Sequence, residues 1–292
     1  MFAGQTWGAA AARYTVDSEL IGEASGVAVS RHNPELLWVH NDSGSLPVLY
    51  AITTHGRYLG QVDINVSQAV DWEDIAAFKL DGKAYLLIAD TGDNFGFRAS
   101  VSLYLLPEPD ITQARKHFSL MPKTARRIDI TYPDHGHDVE AVAVDAGART
   151  IYLLSKRDKP PVLYEVPLAV PEDEQSVTAR PVTEINTLVS AAAPTAGDNP
   201  KVGDYRHRPS ALDISADGRQ WLISTATGGY LYTRKSGQSP AQMLAGQPMP
   251  IPVSDLRQLE AGALSPDNRF AYFMSEKLPT PLVVRRLDQT EH

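Results

Sequence analysis

A four-strand pattern recurs five times along the chain, and this repetition constrains the fold more than any other feature. Each copy contains short apolar or β-branched segments separated by turn residues, as in E-A-S-G-V-A-V-S followed by L-L-W-V-H-N-D-S-G. The later copies begin with W-E-D-I-A-A-F, D-V-E-A-V-A-V-D, R-P-S-A-L-D-I-S and L-E-A-G-A-L-S-P-D. Repeated strand quartets of this kind predict a β-propeller, in which four-stranded blades surround a central channel.

The two ends of the sequence predict how the ring closes. The fifth copy has three strands, and A-R-Y-T-V-D-S-E-L-I near the N-terminus supplies one strand without a partner. Pairing them removes two exposed edges. We therefore predict an all-β fold, a single domain over residues 1–292, with five four-stranded blades. Residues 12–21 would complete the blade built by residues 260–287. A sixth blade within residues 146–210 is the alternative.

Two stretches interrupt the repeat. The polar run from Pro107 to Phe118 indicates an insertion with a short helix, and the run from Ser190 to Tyr205 indicates a long loop because it is rich in Pro, Gly and small residues.

Composition excludes several classes of function. The net charge of −8 and the pI of about 5.5 argue against nucleic acid or anionic lipid as the main partner. The chain has no Cys, which excludes disulfides, thiolate nucleophiles and Cys-zinc sites. No apolar run approaches the ~20 residues needed to span a bilayer. The first residues lack the features of an intact signal peptide and fit a mature exported chain, so we expect a periplasmic or secreted protein. We also expect it to be a monomer.

Acidic residues recur where each blade begins. Aligning the first strands places Ser25, Glu73, Glu140, Ser210 and Ala261 in register. First strands line the channel of a propeller, so these positions predict a ring of oxygen donors at one mouth. Carboxylate and amide oxygens suit a hard cation such as Ca²⁺. The alternative is that each acid caps a solvated turn. The candidate metal ligands are Glu23, Asn41, Glu73, Asp90, Glu140 and Glu260.

Histidines and basic residues supply candidates for chemistry at the same mouth. His137 is a candidate general base, with Asp138 beside it, although H-G-H-D also fits a polar loop. Basic groups there would meet an anionic part of a substrate or neutralise neighbouring acids. The candidate substrate-binding residues are His40, Lys156, Arg157, Arg206 and His207.

Five motifs carry a family resemblance: S-G-V-A-V-S, L-W-V-H-N-D-S-G, L-Y-A-I-T-T-H-G, D-W-E-D-I-A-A-F and I-A-D-T-G-D-N. In these motifs the chain resembles bacterial SdiA-regulated propeller proteins and the phytase-like, esterase-like propellers of exported proteins. The match covers residues 20–160. The resemblance implies a calcium-binding propeller that is periplasmic, secreted or lipid-anchored, with Glu73, Asp90 and Glu140 as ion ligands. The lipobox Cys of that family is missing here.

Two functions follow. One is a Ca²⁺-dependent hydrolase of phosphoesters, lactones or carboxylic esters, in which an acid or His137 activates water. The other is a non-catalytic propeller that binds a carbohydrate, a peptide or a protein partner and contains a structural ion.

Overall fold

The structure, a computed structural model, describes residues 12–66, 69–111, 117–169, 175–191, 205–253, 256 and 258–287. Across these residues, 22 strands form five sheets, and each sheet is one blade of a five-bladed β-propeller. The predicted fold class is confirmed. The described strands within residues 146–210 belong to blades two, three and four, so they form no sixth blade.

Each blade contains four antiparallel strands, which follow one another outward from the channel. Blade one comprises β2 (Ala24–Val29), β3 (Leu36–Asn41), β4 (Val48–Thr53) and β5 (Tyr58–Asn65). Blade two comprises β6 (Trp72–Leu80), β7 (Lys83–Asp90), β8 (Val101–Pro107) and β10 (Arg126–Thr131). Blade three comprises β11 (Val139–Asp145), β12 (Thr150–Ser155), β13 (Val162–Pro167) and β15 (Arg180–Glu184). Blade four comprises β16 (Pro209–Ile214), β17 (Gln220–Thr225), β18 (Gly228–Thr233) and β19 (Met249–Pro252). Blade five comprises β20 (Leu259–Leu264), β21 (Phe270–Ser275), β22 (Pro281–Arg286) and β1 (Ala12–Thr15).

The ring closes as the sequence predicts. Strand β1 pairs antiparallel with β22, in a register that matches Ala12 with Val284 and Thr15 with Pro281. The N–H of Val16 then donates to the carbonyl of Thr280 at 2.9 Å. The closing strand is shorter than the predicted segment 12–21, because pairing with β22 stops at Thr15.

Two additional strands extend two of the blades. Strand β9 (Phe118–Thr124) pairs parallel with β5, and β14 (Gln175–Thr178) pairs parallel with β10, so blades one and two each gain a fifth strand. Residues 112–116 of the predicted helical insertion lie outside the described residues. Helix α1 (Asn186–Ala191) begins before the predicted long loop, of which residues 192–204 are likewise not described. Helix α2 (Pro240–Leu244) lies between β18 and β19, and Ser239 caps its N-terminus.

The core consists of apolar layers between adjacent blades. Strands β2, β11 and β16 are buried at every position because neighbouring sheets cover both of their faces. Trp38 and Trp221 are fully buried in two of these layers, so both rings pack within the core.

Every innermost strand carries a β-bulge at the same place. One residue of each strand is skipped in the pairing with the next strand, and these residues are Ser25, Glu73, Glu140, Ser210 and Glu260. The alignment that placed Ala261 in this set is therefore wrong by one residue. Bulges turn a side chain away from the regular alternation of a strand and are frequent next to functional sites. Here they define one mouth of the channel.

Candidate metal centre at the channel mouth

The five bulge residues divide into two serines and three glutamates. The hydroxyl of Ser25 donates to the carbonyl of Glu73 at 2.7 Å, and that of Ser210 donates to the carbonyl of Leu259 at 2.9 Å. The serines thus join blade one to blade two and blade four to blade five. The glutamates instead turn their carboxylates toward other acids or toward Lys156.

Asp42, Asp71 and Glu73 form one set of carboxylates. One oxygen from each lies within 4.8 Å of the others. Glu73 is only 6% exposed, and no donor among the described residues contacts its carboxylate. Burial raises the pKa of Glu73 well above its usual range, and Asp71 and Asp42 raise it further. Burial, followed by repulsion from Asp42, Asp138 and Asp90, raises the pKa of Asp71 to about 6.

The backbone at Gly92 closes over this set. A Cβ atom at position 92 would lie 2.2 Å from Oε1 of Glu73 and 2.3 Å from Oδ2 of Asp71. Only glycine fits such a close approach. Three close carboxylates, one of them buried without a described donor, under a tight backbone wall, match what a hard cation requires.

A second set shares Glu73 and adds Asp138 and Glu140, again with oxygens within 4.8 Å. Basic side chains already pair with two acids of this set. Nζ of Lys156 donates to Glu140 and lies 3.7 Å from Oε2 of Glu260. Arg157 donates to Asp138 through Nε and to Asn94 through Nη2. The set of Asp42, Asp71 and Glu73 therefore fits a cation better, because its contacts include no Lys or Arg donor among the described residues.

Three of the predicted ligands, Asp90, Asn41 and Glu23, do not belong to either set of carboxylates. Oδ2 of Asp90 accepts the N–H of Val70 at 2.9 Å, and Oδ1 accepts the N–H of Asp71 at 3.1 Å and Nη2 of Arg98 at 2.9 Å. Asp90 thereby fixes the backbone that presents Asp71. Asn41 donates to the carbonyl of Leu20 at 2.8 Å and accepts the N–H of Glu23 at 3.4 Å. The side chain of Glu23 is exposed.

Asp42 and Asp71 are not among the predicted metal ligands. Asp71 is two residues before Glu73, a spacing that places both side chains on one side of an extended chain. Asp42 follows β3 at the same mouth. These two spacings are the signal that would have identified the set.

His137 lies in a clamp of two acids. Its Nδ1 is 2.9 Å from Oδ2 of Asp158, and its Nε2 is 3.1 Å from Oδ1 of Asp134 and 2.9 Å from the hydroxyl of Tyr164. Burial lowers the pKa of His137, but the hydrogen bonds to Asp158 and Asp134 outweigh it, so the net shift is upward. A histidine whose two nitrogens are both engaged is a poor acceptor for a proton from water. Asp138, its predicted catalytic neighbour, accepts the N–H of Asp93 at 2.9 Å in addition to Arg157.

The predicted substrate-binding residues separate into two groups. Lys156 and Arg157 are at the mouth and are paired with its acids. His40 is fully buried against Trp72, with 5.6 Å between ring centroids, and burial lowers its pKa. Arg206 is buried, and His207 is half-buried.

Two exposed aromatic rings lie next to the mouth. Phe95 and Phe97 are 80% and 86% exposed, and their rings stack with 5.8 Å between centroids. The carboxylate of Asp93 accepts the N–H groups of Phe97 and Arg98, both at 2.9 Å, which fixes this loop. Asn94 links the loop to Arg157.

Fold and site together define a five-bladed β-propeller with an acidic channel mouth. No family model matches the chain, and no curated protein matches it. Among solved structures, it is similar to hydrazine synthase of Kuenenia stuttgartiensis, with 12% identity and a TM-score of 0.46 over 91% of this chain and 84% of that one. It is also similar to XC5397 of Xanthomonas campestris, described as a gluconolactonase, with 12% identity and a TM-score of 0.47 over 90% of this chain and 72% of that one. Likenesses at this level carry no information on function. No helix in the described part of the chain is long and apolar enough to cross a membrane.

Proposed function

We propose that the channel mouth binds Ca²⁺ through Asp42, Asp71 and Glu73, and that the protein hydrolyses a small lactone, carboxylic ester or phosphoester there. The observation that carries this proposal is the donor set itself: three carboxylates within 4.8 Å, with the buried Glu73 lacking any donor among the described residues. Like charges at this spacing are costly unless a cation or protons neutralise them.

The bound cation would supply the positive charge that polarises a substrate oxygen. Asp71 is half-buried and carries two oxygens, so it can offer one to the cation and accept a proton from water with the other. Lys156 and Arg157 contribute fixed positive charge beside the set. In this scheme Asp71 takes the role that was predicted for His137, because Asp134, Asp158 and Tyr164 engage both nitrogens of that ring.

A non-catalytic role is the second candidate, and two contacts favour it. Lys156 and Arg157 already neutralise Glu140 and Asp138, which reduces the open charge at the mouth. The exposed pair of Phe95 and Phe97 offers aromatic faces on which a sugar ring would stack. Under this proposal the ion is structural and the mouth binds a carbohydrate, a peptide or a protein. Under either function, we also propose that the protein is exported and that it is related to the SdiA-regulated propellers.

Thermal unfolding with Ca²⁺ or EDTA tests the ion site. Ca²⁺ at a hundredfold excess over Kd would stabilise the folded state by ~2.7 kcal/mol. Glu73→Gln should abolish most of this gain. Glu260→Gln is the matched control, because Glu260 is the equivalent bulge residue but lies next to Lys156. Superimposed melts with and without Ca²⁺ would exclude the site.

A substrate panel separates the two functions. If the protein is a hydrolase, turnover of lactones, aryl esters or phosphoesters will require Ca²⁺ and will fall in both Asp71→Asn and Glu73→Gln. Stabilisation by Ca²⁺ without turnover of any of these substrates would support the binding protein instead.

A further inference from the structure

A cavity of about 290 Å³ lies at the end of the channel opposite the acidic mouth. All five blades line it, for example through Arg31, Phe78, Val144, Ile214 and Pro266. These residues lie near or just after the ends of the innermost strands, whereas the bulges lie at their beginnings. The cavity is therefore separated from the acidic mouth by most of the length of those strands.

Two buried acids divide the channel between these ends. Asp74 accepts the N–H groups of Val142 at 2.8 Å and Leu212 at 3.1 Å, and Asp213 accepts the N–H of Leu264 at 2.7 Å. These hydrogen bonds connect blades two, three, four and five across the axis. The cavity is thus a site of its own.

The lining of the cavity is apolar and basic. Its charged members among the described residues are Arg31 and Lys79, and no acidic side chain lines it. The chain as a whole carries a net charge of −8, so a cavity with only cationic groups departs from the rest of the surface. An apolar cavity with a few convergent polar groups is the usual form of a small-molecule site.

Arg31 is fixed in place while part of its guanidinium remains available. Its backbone N–H donates to Oε2 of Glu108 at 2.9 Å, and its Nε donates to the carbonyl of Ala77 at 2.8 Å. The other oxygen of Glu108 accepts Nε1 of Trp38 at 2.9 Å. These are the contacts of Arg31 with described residues, and they leave its two terminal nitrogens without a described acceptor.

Arg31 lies close enough to the buried Asp213 to affect the pKa of its carboxyl group. Burial raises the pKa of Asp213, and the charge of Arg31 partly offsets this rise. The carboxylate of Asp213 accepts the N–H groups of Ile214 and Leu264, and it forms no ion pair with Arg31. The guanidinium therefore remains free to bind an anion.

We propose that this cavity binds a small carboxylate with an apolar body, such as an aromatic or short-chain acid. The two terminal nitrogens of Arg31 match a carboxylate, which they can bind in a bidentate manner. The apolar walls formed by Phe78, Val144 and Ile214 would cover the hydrocarbon part. Lys79 adds positive charge at the rim.

Calorimetric titration with benzoate tests the proposal, and benzamide serves as the neutral ligand of the same shape. Divalent cations are first removed by dialysis over a chelating resin, so the outcome does not depend on the cation site. We expect saturable binding of benzoate and at least tenfold weaker binding of benzamide. Equal binding of the two ligands, or no saturable binding of benzoate, would overturn the proposal.

Variants then locate the site. Arg31→Gln should reduce benzoate affinity at least tenfold, and Ala146→Leu should do so by filling the cavity without a change of charge. Arg149→Gln removes an exposed arginine that pairs with Asp81 and should leave binding unchanged. Glu73→Gln should also leave it unchanged. Wild-type affinity in Ala146→Leu would contradict the location even if Arg31→Gln fails to fold.

Discussion

The carboxylate of Asp74 in β6 accepts the backbone N–H of Leu212 in β16 at 3.1 Å, although blades two and four are not neighbours in the ring. It also accepts the N–H groups of Val142 and Ile75, both at 2.8 Å. The innermost strand of a blade has one edge that faces the axis, and the N–H groups of that edge need acceptors. Burial raises the pKa of Asp74 well above its usual range, while the three N–H groups favour its charged form.

Replacement of Asp74 should therefore be strongly destabilising. Asp74→Ala leaves the N–H groups of Val142 and Leu212 buried without an acceptor, and we expect a loss of ~3–5 kcal/mol in the free energy of unfolding. Asp74→Asn keeps one carbonyl oxygen and should cost less. Urea unfolding measures both variants. Equal losses in the two variants would show that the hydrogen bonds are not what stabilises this position.

Removal of the closing strand should destabilise the whole ring. A chain without residues 1–15 exposes the edge of β22 and uncovers part of the layer that contains Val284 and Tyr272. We expect a loss of several kcal/mol, on the order of the largest single-site effects. A chain without residues 1–11 retains β1 and is the matched control. The prediction fails if both truncated chains melt together with the full-length protein.

Cation binding should depend on pH through Asp71. In the cation-free protein its pKa of about 6 is above the value of 3.8 for a free aspartate. The stability that its protonated form contributes is therefore complete below about pH 3.8 and is lost as the pH rises through about 6. A cation needs the charged form, so its affinity should change in the opposite direction.

The measurement is the rise in Tm on addition of Ca²⁺ at pH 5 and at pH 7.5. We expect a small rise at the lower pH and a large one at the higher pH. Asp71→Asn should flatten this dependence. A rise in Tm that does not change with pH would show that neither Asp71 nor Glu73 binds the ion.

The clamp around His137 should stabilise the fold mainly at acidic and neutral pH. The folded pKa of His137 is above its ordinary value of 6.5, because the hydrogen bonds to Asp158 and Asp134 outweigh the effect of burial. Its contribution is complete below the unfolded pKa and is lost as the pH rises through the folded one. The difference in stability between wild type and His137→Gln should therefore shrink from pH 6 to pH 9.

The same variant tests the catalytic interpretation of His137. With a structural clamp, His137→Gln keeps its response to Ca²⁺, and any turnover falls only in proportion to the folded fraction. A loss of roughly a hundredfold in kcat at full folding would restore His137 as the general base.

Much of the fold could be predicted because each blade repeats the same local signals. The apolar strands of blade two, such as Tyr85 to Ala89, have clear boundaries at Gly82 and Asp90. The parallel pairing of β9 with β5 and of β14 with β10 could not be predicted, because it joins segments far apart in sequence. The shift from Ala261 to Glu260 has a similar cause, since a bulge inserts a residue without a change in hydrophobic pattern.

The sequence predicts that acids gather at the mouth, but it does not predict which of them are free to bind a cation. The sequence places acids at the mouth, and the structure brings Glu73 and Glu140 together there. It cannot show which acids already have partners. Asp90 accepts hydrogen bonds from Arg98 and two backbone N–H groups, whereas Glu73 has no described donor, although both acids lie at the same end of the β6–β7 pair.

The pairing of β1 with β22 has a consequence for synthesis in the cell. The ribosome delivers β1 before any blade exists and β22 only after the other four blades have emerged. Blade five therefore assembles after most of the chain has been translated, and β1 remains an open edge until then. Its sequence, A-R-Y-T, carries the charge of Arg13, and charged residues on an edge oppose pairing with other chains. A nascent chain that stalls before β22 would thus present this edge to chaperones and to its neighbours.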